Sequence, residues 1–306
     1  MSPRIVFLGS PDFAVPSLEE LAGHYNVVGV ITQPDRPFGR GQKMAPSAVK
    51  DAAQSLGLPV YQPESLRTLE AFSKLNAWQP DVMVVAAYGQ ILSQAVLDVP
   101  TKGCLNVHAS LLPRWRGASP IQAAIEAGDE KTGVTIMEMV QKLDAGPIVA
   151  QREVPLRSAT YADELSQQLA FLGARTLLEV LPDWLNGTLK AIPQDESQVT
   201  YAPMLKKNQG LLSFDQPAIQ LVRKVHAYHP WPGTSFEYMG QNIKVLDAHV
   251  HDTFNAEPGI RYSVNGLPAI GTSECLLVLD MVQPAGKCPM RGEDFLRGQR
   301  DWIERE

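Results

Sequence analysis

The chain has 306 residues, 44% of them hydrophobic, and a net charge of -6, which points to two globular domains with a sizeable core and excludes a broad basic face for nucleic acid, so that any RNA contact must be local. Its longest apolar runs, such as 5–8 and 82–87, fall far short of the ~18 residues a membrane-spanning helix needs, and no secretory signal follows Arg4, so a cytoplasmic protein without membrane contact is expected. Cys104, Cys275 and Cys288 are odd in number and far apart, which argues against a disulfide framework and offers no CxxC metal pattern.

Short β-branched runs at 4–9, 26–32, 81–87 and 103–108 alternate with helix-period segments at 17–23, 47–57 and 65–78. That alternation is the pattern of a Rossmann-like parallel α/β sheet with helices on its faces. Segment 134–140 reads as another strand. A long helix is expected from 161 to about 185, where Leu165, Leu169, Leu172, Leu177 and Leu181 recur at helical spacing until Asn186 and Gly187 stop it. Segment 188–209 loses periodicity and turns polar, as a linker does. Beyond it, 210–214, 234–239, 242–250 and 275–282 read as strands and 218–228 as a helix, the composition of a small β-barrel or sandwich. The resulting division is an α/β domain over 1–190, a linker over 191–207 and a smaller β domain over 208–306.

The chemistry-bearing residues cluster at the end of the fourth strand. In Cys104-Leu105-Asn106-Val107-His108, two apolar residues alternate with Asn106 and His108, so the amide and the imidazole share one face of a strand, roughly 6.5 Å apart. Ligands of open parallel sheets bind at the carboxyl ends of strands. An amide there can donate to a developing oxyanion, and an imidazole can donate or exchange a proton. Asp144, on the tight turn of Leu143-Asp144-Ala145-Gly146-Pro147, is placed to orient or deprotonate that imidazole.

Wider wording extends this reading. His108-Ala109-Ser110-Leu111-Leu112-Pro113, continuing through Arg114-Trp115-Arg116-Gly117, and Thr132-Gly133-Val134-Thr135-Ile136 followed by Leu143-Asp144-Ala145-Gly146, resemble the signature of formyltransferases that use 10-formyltetrahydrofolate. Phe7-Leu8-Gly9-Ser10-Pro11-Asp12-Phe13, Thr32-Gln33-Pro34-Asp35-Arg36-Pro37 and Trp231-Pro232-Gly233 extend the resemblance, over essentially the whole chain, to the family that formylates methionyl-tRNA. The resemblance implies a catalytic trio of Asn106, His108 and Asp144, folate contacts from Ser110, Leu111, Leu112 and Pro113, and a pterin pocket lined by the 86–91 loop with Tyr88 and Gly89. It also implies an OB-like β-barrel as the second domain, initiator methionyl-tRNA as acceptor substrate, and a 33–44 loop that orders on the tRNA acceptor end through Arg36, Arg40 and Lys43. Lys206 and Lys207 extend that track, or form a solvated pair in the linker. Neither a metal, a nucleotide cofactor nor an obligate protein partner is expected.

Several features bound the alternatives. His226 with His229, and His249 with His251, lack a carboxylate or cysteine in sequence to complete a metal site. The Gly9-Ser10-Pro11-Asp12 turn lacks the later glycines of GxGxxG, which disfavours a bound dinucleotide. From Lys206 onward, eleven Lys and Arg stand against twelve Asp and Glu, a departure from a basic RNA-binding face. A 10-formyltetrahydrofolate hydrolase, a nucleotide-sugar formyltransferase and a catalytically silent RNA-binding protein remain competing readings. Whether His108 or Asp144 accepts the proton stays open.

Overall fold

The computed structural model describes residues 2–38, 43–252, 256–299 and 301–303. The chain divides into two compact units, Met1–Pro120 with Lys131–Pro155 and Ser166–Ala202, and Ile121–Glu130 with Leu156–Leu165 and Pro203–Glu306.

In chain order the elements up to residue 202 are β1 (Arg4–Gly9), α1 (Val15–His24), β2 (Asn26–Ile31), β3 (Arg36–Phe38), β4 (Lys43–Ala45), α2 (Ala48–Ser55), β5 (Val60–Tyr61), α3 (Leu69–Ala77), β6 (Val82–Ala86), α4 (Gln94–Leu97), β7 (Cys104–His108), β8 (Arg116–Gly117), α5 (Pro120–Ala127), β9 (Lys131–Glu138), β10 (Ile148–Pro155), α6 (Ala162–Asn186) and β11 (Tyr201–Ala202). Helix starts follow their caps: Ser47 Oγ accepts from Lys50 N and Thr68 Oγ1 from Ala71 N, each satisfying a backbone donor that the first turn leaves free.

The first unit's main sheet has the order β10-β9-β7-β6-β1-β2-β5. Strands β5, β2, β1, β6 and β7 pair in parallel, as the alternating pattern predicts. At one edge the sheet adds two strands of the opposite sense, β9 running antiparallel to β7 and β10 antiparallel to β9. Between β8 and β9, residues Ile121–Glu130 group with the second unit. β9 comes back beside β7 antiparallel, without a right-handed crossover.

Strands β6 and β7 are buried at every position, and the pleat sorts their side chains. Phe7, Val84, Leu105 and Val107 join a cluster with Leu18, Leu21, Leu177 and Leu181 of α1 and α6, while Leu8, Val85 and Cys104 join Leu75 and Trp78 around α3. Burial of Leu105 contributes on the order of 1.5–3 kcal/mol, and it anchors β7 so that its even-numbered residues face away from α6. Gly173 lets α6 approach this closely, since a Cβ there would lie 2.6 Å from Val107 Cγ1.

The second unit carries α7 (Ala218–Ala227), β12 (Thr234–Tyr238), β13 (Gln241–His251), β14 (Arg261–Val264), β15 (Leu267–Gly271), β16 (Leu276–Pro284), β17 (Met290–Arg291) and α8 (Gly292–Arg297). Its strands follow the order β12-β13-β16-β15-β14 with β17 on β16, all antiparallel, the β domain expected from the sequence. Leu221, Val225, Phe236, Ile243, Leu277, Phe295 and Trp302 fill its core. The pair Met239-Gly240 (φ 48 and 73) and the pair Asn265-Gly266 (φ 51 and 79) turn its hairpins, the left-handed geometry of two-residue loops. Residues 210–214 form no strand. Lys207–Gly210 is a 3₁₀ turn, a Cβ on Gly210 would meet Gly233 O at 2.0 Å, and Leu211 makes only an isolated bridge to Ser235.

Candidate active site

Asn106 and His108 stand on the face of β7 opposite Leu105 and Val107, 8% and 6% exposed respectively. His108 Nε2 lies 3.0 Å from the Trp115 carbonyl oxygen. A carbonyl only accepts, so Nε2 carries a hydrogen, and the ring turns its Nδ1 toward Asp144. Nδ1 stands 3.8 Å from Asp144 Oδ2, with both side chains largely buried. At that separation an imidazolium and a carboxylate attract by about 4 kcal/mol at an effective dielectric of ~20, so the carboxylate stabilises a proton arriving on the ring. The Asn106 amide makes no hydrogen bond among the described residues, leaving its two N–H groups free for a ligand. The structure thus brings the three sequence-predicted groups together.

Asp144 reaches His108 by an indirect route. The β9–β10 loop starts beside the beginning of β7, where Met139 N donates to Cys104 O, and has to run back along the sheet toward His108. Its path is tight: a Cβ on Gly146 would stand 1.7 Å from Glu138 O. Asp144 itself has φ 44, the left-handed region that costs a non-glycine residue about 1–2 kcal/mol. Gly117 N donates to Asp144 Oδ2 at 2.8 Å. That glycine is obligatory twice over, having φ 123 and a position where a Cβ would lie 2.5 Å from Ala202 O.

The predicted folate segment divides in two. Ser110 is fully buried, and its hydroxyl donates to Arg114 O at 2.6 Å. Leu112 is buried as well, while Leu111 and Pro113 are half-buried. Thr135, opposite His108 in the β7–β9 register, ties this segment down. Its hydroxyl donates to Ser110 O at 2.7 Å and accepts from Leu112 N at 3.1 Å and from Gln151 Nε2 at 2.9 Å. In sequence Thr135 lies inside the 132–136 motif with no role assigned, and its place on a strand, two residues after a glycine, is the available signal. In the 86–91 loop, Tyr88 is buried with its hydroxyl unpartnered among the described residues, and burial pushes that phenol up to about 12. Gln33 Nε2 holds the Tyr88 carbonyl at 3.1 Å.

A family model described as "Formyl transferase" matches residues 3–181, and one described as "Formyl transferase, C-terminal domain" matches 204–300. The chain belongs to the formyltransferase family. The family read from its motifs is thus the family found. A protein named methionyl-tRNA formyltransferase from Roseiflexus castenholzii is 46% identical over 304 residues, covering 98% of this chain and 97% of its own. Another, from Herpetosiphon aurantiacus, is 44% identical over 301 residues, covering 97% and 98%. Among solved structures, an N-formyltransferase from Helicobacter canadensis in complex with folinic acid and dTDP-3-aminofucose superposes with a TM-score of 0.69 at 17% identity, covering 91% of this chain and 99% of that one. HypX from Aquifex aeolicus, in complex with tetrahydrofolic acid, gives 0.63 at 18% identity over 99% of this chain, which spans only 48% of HypX. At these identities the structural likeness speaks to the fold.

In this formyltransferase β3 and β4, within the 33–44 segment, pair antiparallel, and residues 39–42 lie outside the described residues. Arg36 on β3 is exposed, Lys43 lies on β4, and Arg40 lies outside the described residues. Lys206 and Lys207 are exposed at the start of a 3₁₀ turn in the second unit. His249 is paired with Asp280 at 2.7 Å, and His226 packs against Tyr161 with ring centroids 4.5 Å apart.

Proposed function

We propose that this enzyme transfers the formyl group of 10-formyltetrahydrofolate to the α-amino group of initiator methionyl-tRNA, with Asn106, His108 and Asp144 as its catalytic residues. The observation that carries the reading is the free Asn106 amide on the same strand face as a His108 ring whose Nδ1 looks at the Asp144 carboxylate. Relatives named for this reaction, matching almost end to end, support the choice of donor and acceptor.

The amine nitrogen attacks the formyl carbon, a C–N bond forms, and the carbonyl π pair moves onto oxygen. An α-amino group has a pKa near ~8, so roughly a tenth is already neutral at pH 7, and the charge-separated intermediate is the larger obstacle. Asn106 donates to its oxyanion. The ammonium proton passes to His108 Nδ1, where Asp144 stabilises the resulting imidazolium. Collapse restores the carbonyl, breaks the bond to folate N10, and returns a proton to that nitrogen, giving N-formylmethionyl-tRNA and tetrahydrofolate. Leu111 and Pro113 offer apolar surface to the folate, with Ser110 and Leu112 shaping the backbone beneath.

The tRNA is held by the domain from 208 onward, by the 191–207 linker with Lys206 and Lys207, and by Arg36, Arg40 and Lys43. Cations of this kind position a phosphate backbone without reading its sequence. Arg40→Ala therefore raises the KM for tRNA more than that for folate. The deciding assay supplies 10-formyltetrahydrofolate together with water, nucleotide-sugar amines or methionyl-tRNA and follows where the formyl group goes. Transfer to water or a sugar amine in preference to methionyl-tRNA overturns the assignment.

A further inference from the structure

The stretch after α6 looks like a passive connection, with a single 3₁₀ turn at Glu196–Gln198 before β11. We infer that it is a brace, in which Gln194 and Thr200 are positioning residues that hold the His108–Asp144 pair in register. The inference rests on the reading of that pair as the proton-transfer groups.

Gln194 grips the loop that carries Asp144. Its Nε2 donates to Asp144 O at 2.8 Å and to Gly146 O at 2.7 Å. Its Oε1 accepts from Arg116 Nε at 3.0 Å and Nη2 at 2.8 Å. Two hydrogens and two lone pairs are thereby all used, which leaves the amide a single orientation. Behind it, the Arg116 side chain is wholly buried, and Nη2 also donates to Glu196 Oε1 at 2.7 Å. The strained backbone of Asp144 persists only if its surroundings over-determine it, and the Gln194 bonds contribute to this from outside the loop, beside those of Gly117 N to Asp144 Oδ2 and of Lys142 Nζ to Glu196 Oε2.

Six residues later, Thr200 grips the other partner. Its hydroxyl accepts from Trp115 N at 2.9 Å, and its carbonyl accepts from Arg116 N at 2.9 Å. Trp115 is the residue whose carbonyl takes the His108 Nε2–H. One end of the brace thus places the carboxylate and the other fixes the imidazole tautomer, while neither Gln194 nor Thr200 touches a reacting atom.

The test is a double-mutant cycle on formylation kinetics. Gln194→Ala is expected to lower kcat on the order of 10- to 100-fold, the effect of a small misplacement at a reacting centre, with both KM values within about twofold. In an Asp144→Ala background the same change is expected to add less than about twofold, because a residue acting through Asp144 has nothing left to position. Fully additive losses overturn the inference. Unchanged kcat in Asp144→Ala alone overturns instead the assignment of Asp144 to proton transfer. Should Gln194→Ala not fold, Gln194→Glu keeps the acceptor for Arg116 and removes both donors to the loop. Wild-type kcat in that folded variant counts against the brace. For the other end, Thr200→Ser is expected to retain activity and Thr200→Val to lose about tenfold, with the imidazole nitrogen NMR signals of His108 departing from the Nε2–H pattern. Equal rates and spectra in the two variants remove Thr200 from the proposal.

Discussion

Replacing Asn106 by alanine separates catalysis from folding unusually well, because the amide is nearly buried yet makes no hydrogen bond among the described residues. Its loss breaks no structural bond there, and the shortened side chain keeps its Cβ on β7 against the same neighbours. Stability is therefore expected to change by less than about 1 kcal/mol, since deleting an unpaired polar group carries little of the usual penalty. The rate is a different matter. A donor aimed at a developing oxyanion is typically worth about 10²–10³ in kcat, or roughly 2.7–4 kcal/mol of transition-state stabilisation. Single-turnover formylation of methionyl-tRNA at saturating folate reads that term directly, with urea unfolding of the same preparations as the control. A kcat within about threefold of wild type refutes the oxyanion role. A large rate loss accompanied by an equally large loss of stability shows that Asn106 supports the strand rather than the reaction.

Three further outcomes follow from the geometry. Thr135→Val, isosteric but without the hydroxyl that serves Ser110 O, Leu112 N and Gln151 Nε2, leaves buried backbone groups unpaired and is expected to cost about 2–4 kcal/mol in denaturant unfolding; a change under about 0.5 kcal/mol contradicts the assigned network. Hydrogen bonds from Arg116, then Lys142, hold the Glu196 carboxyl down at about 2. A depressed carboxylate stabilises the fold above its ordinary value of ~4.3 and loses that contribution as pH falls toward the depressed one. Wild type is thus expected to exceed Glu196→Gln in stability at pH 7, with the gap closing below about pH 5; a gap that widens on acidification refutes this. Burial, with Glu138 and Asp98 adding, pushes the Cys104 thiol up to about 12, so a thiol reagent at pH 8 is expected to label exposed Cys288 and to spare Cys104 until the protein unfolds. Rapid labelling of Cys104 in the folded protein runs against that burial.

Much of the α/β framework was legible because its signals are local. Strands β1 and β6 are continuous apolar runs bounded by turn residues, β7 alternates apolar and polar residues, and Ser47 caps a helix from its own neighbourhood. Asn106 and His108 were visible for the same reason, since a two-residue period fixes a shared face. The hairpin turn Asn265-Gly266 was equally visible and went unused, so β14 and β15 were not anticipated. Gln194 and Thr200 were not legible at all. They meet Asp144 and Trp115 across 50 and 85 residues of sequence, through single side-chain to backbone bonds made by a segment with no hydrophobic period. The antiparallel placement of β9 was hidden likewise, because the composition of a strand does not encode the direction of its neighbour.

That antiparallel hairpin also decides how the large sheet ends. At one margin β5 is only two residues long, too short to template another chain. At the other, β10 bears Arg152 and Glu153, engaged with Glu179 and Lys131, closes on Pro155, and has Ile148 bridged to Ile192. Charged, proline-stopped and partly occupied margins are what discourage strand addition from a neighbouring molecule. The turn that carries Asp144 therefore belongs to the same hairpin that closes this margin of the sheet to strand addition.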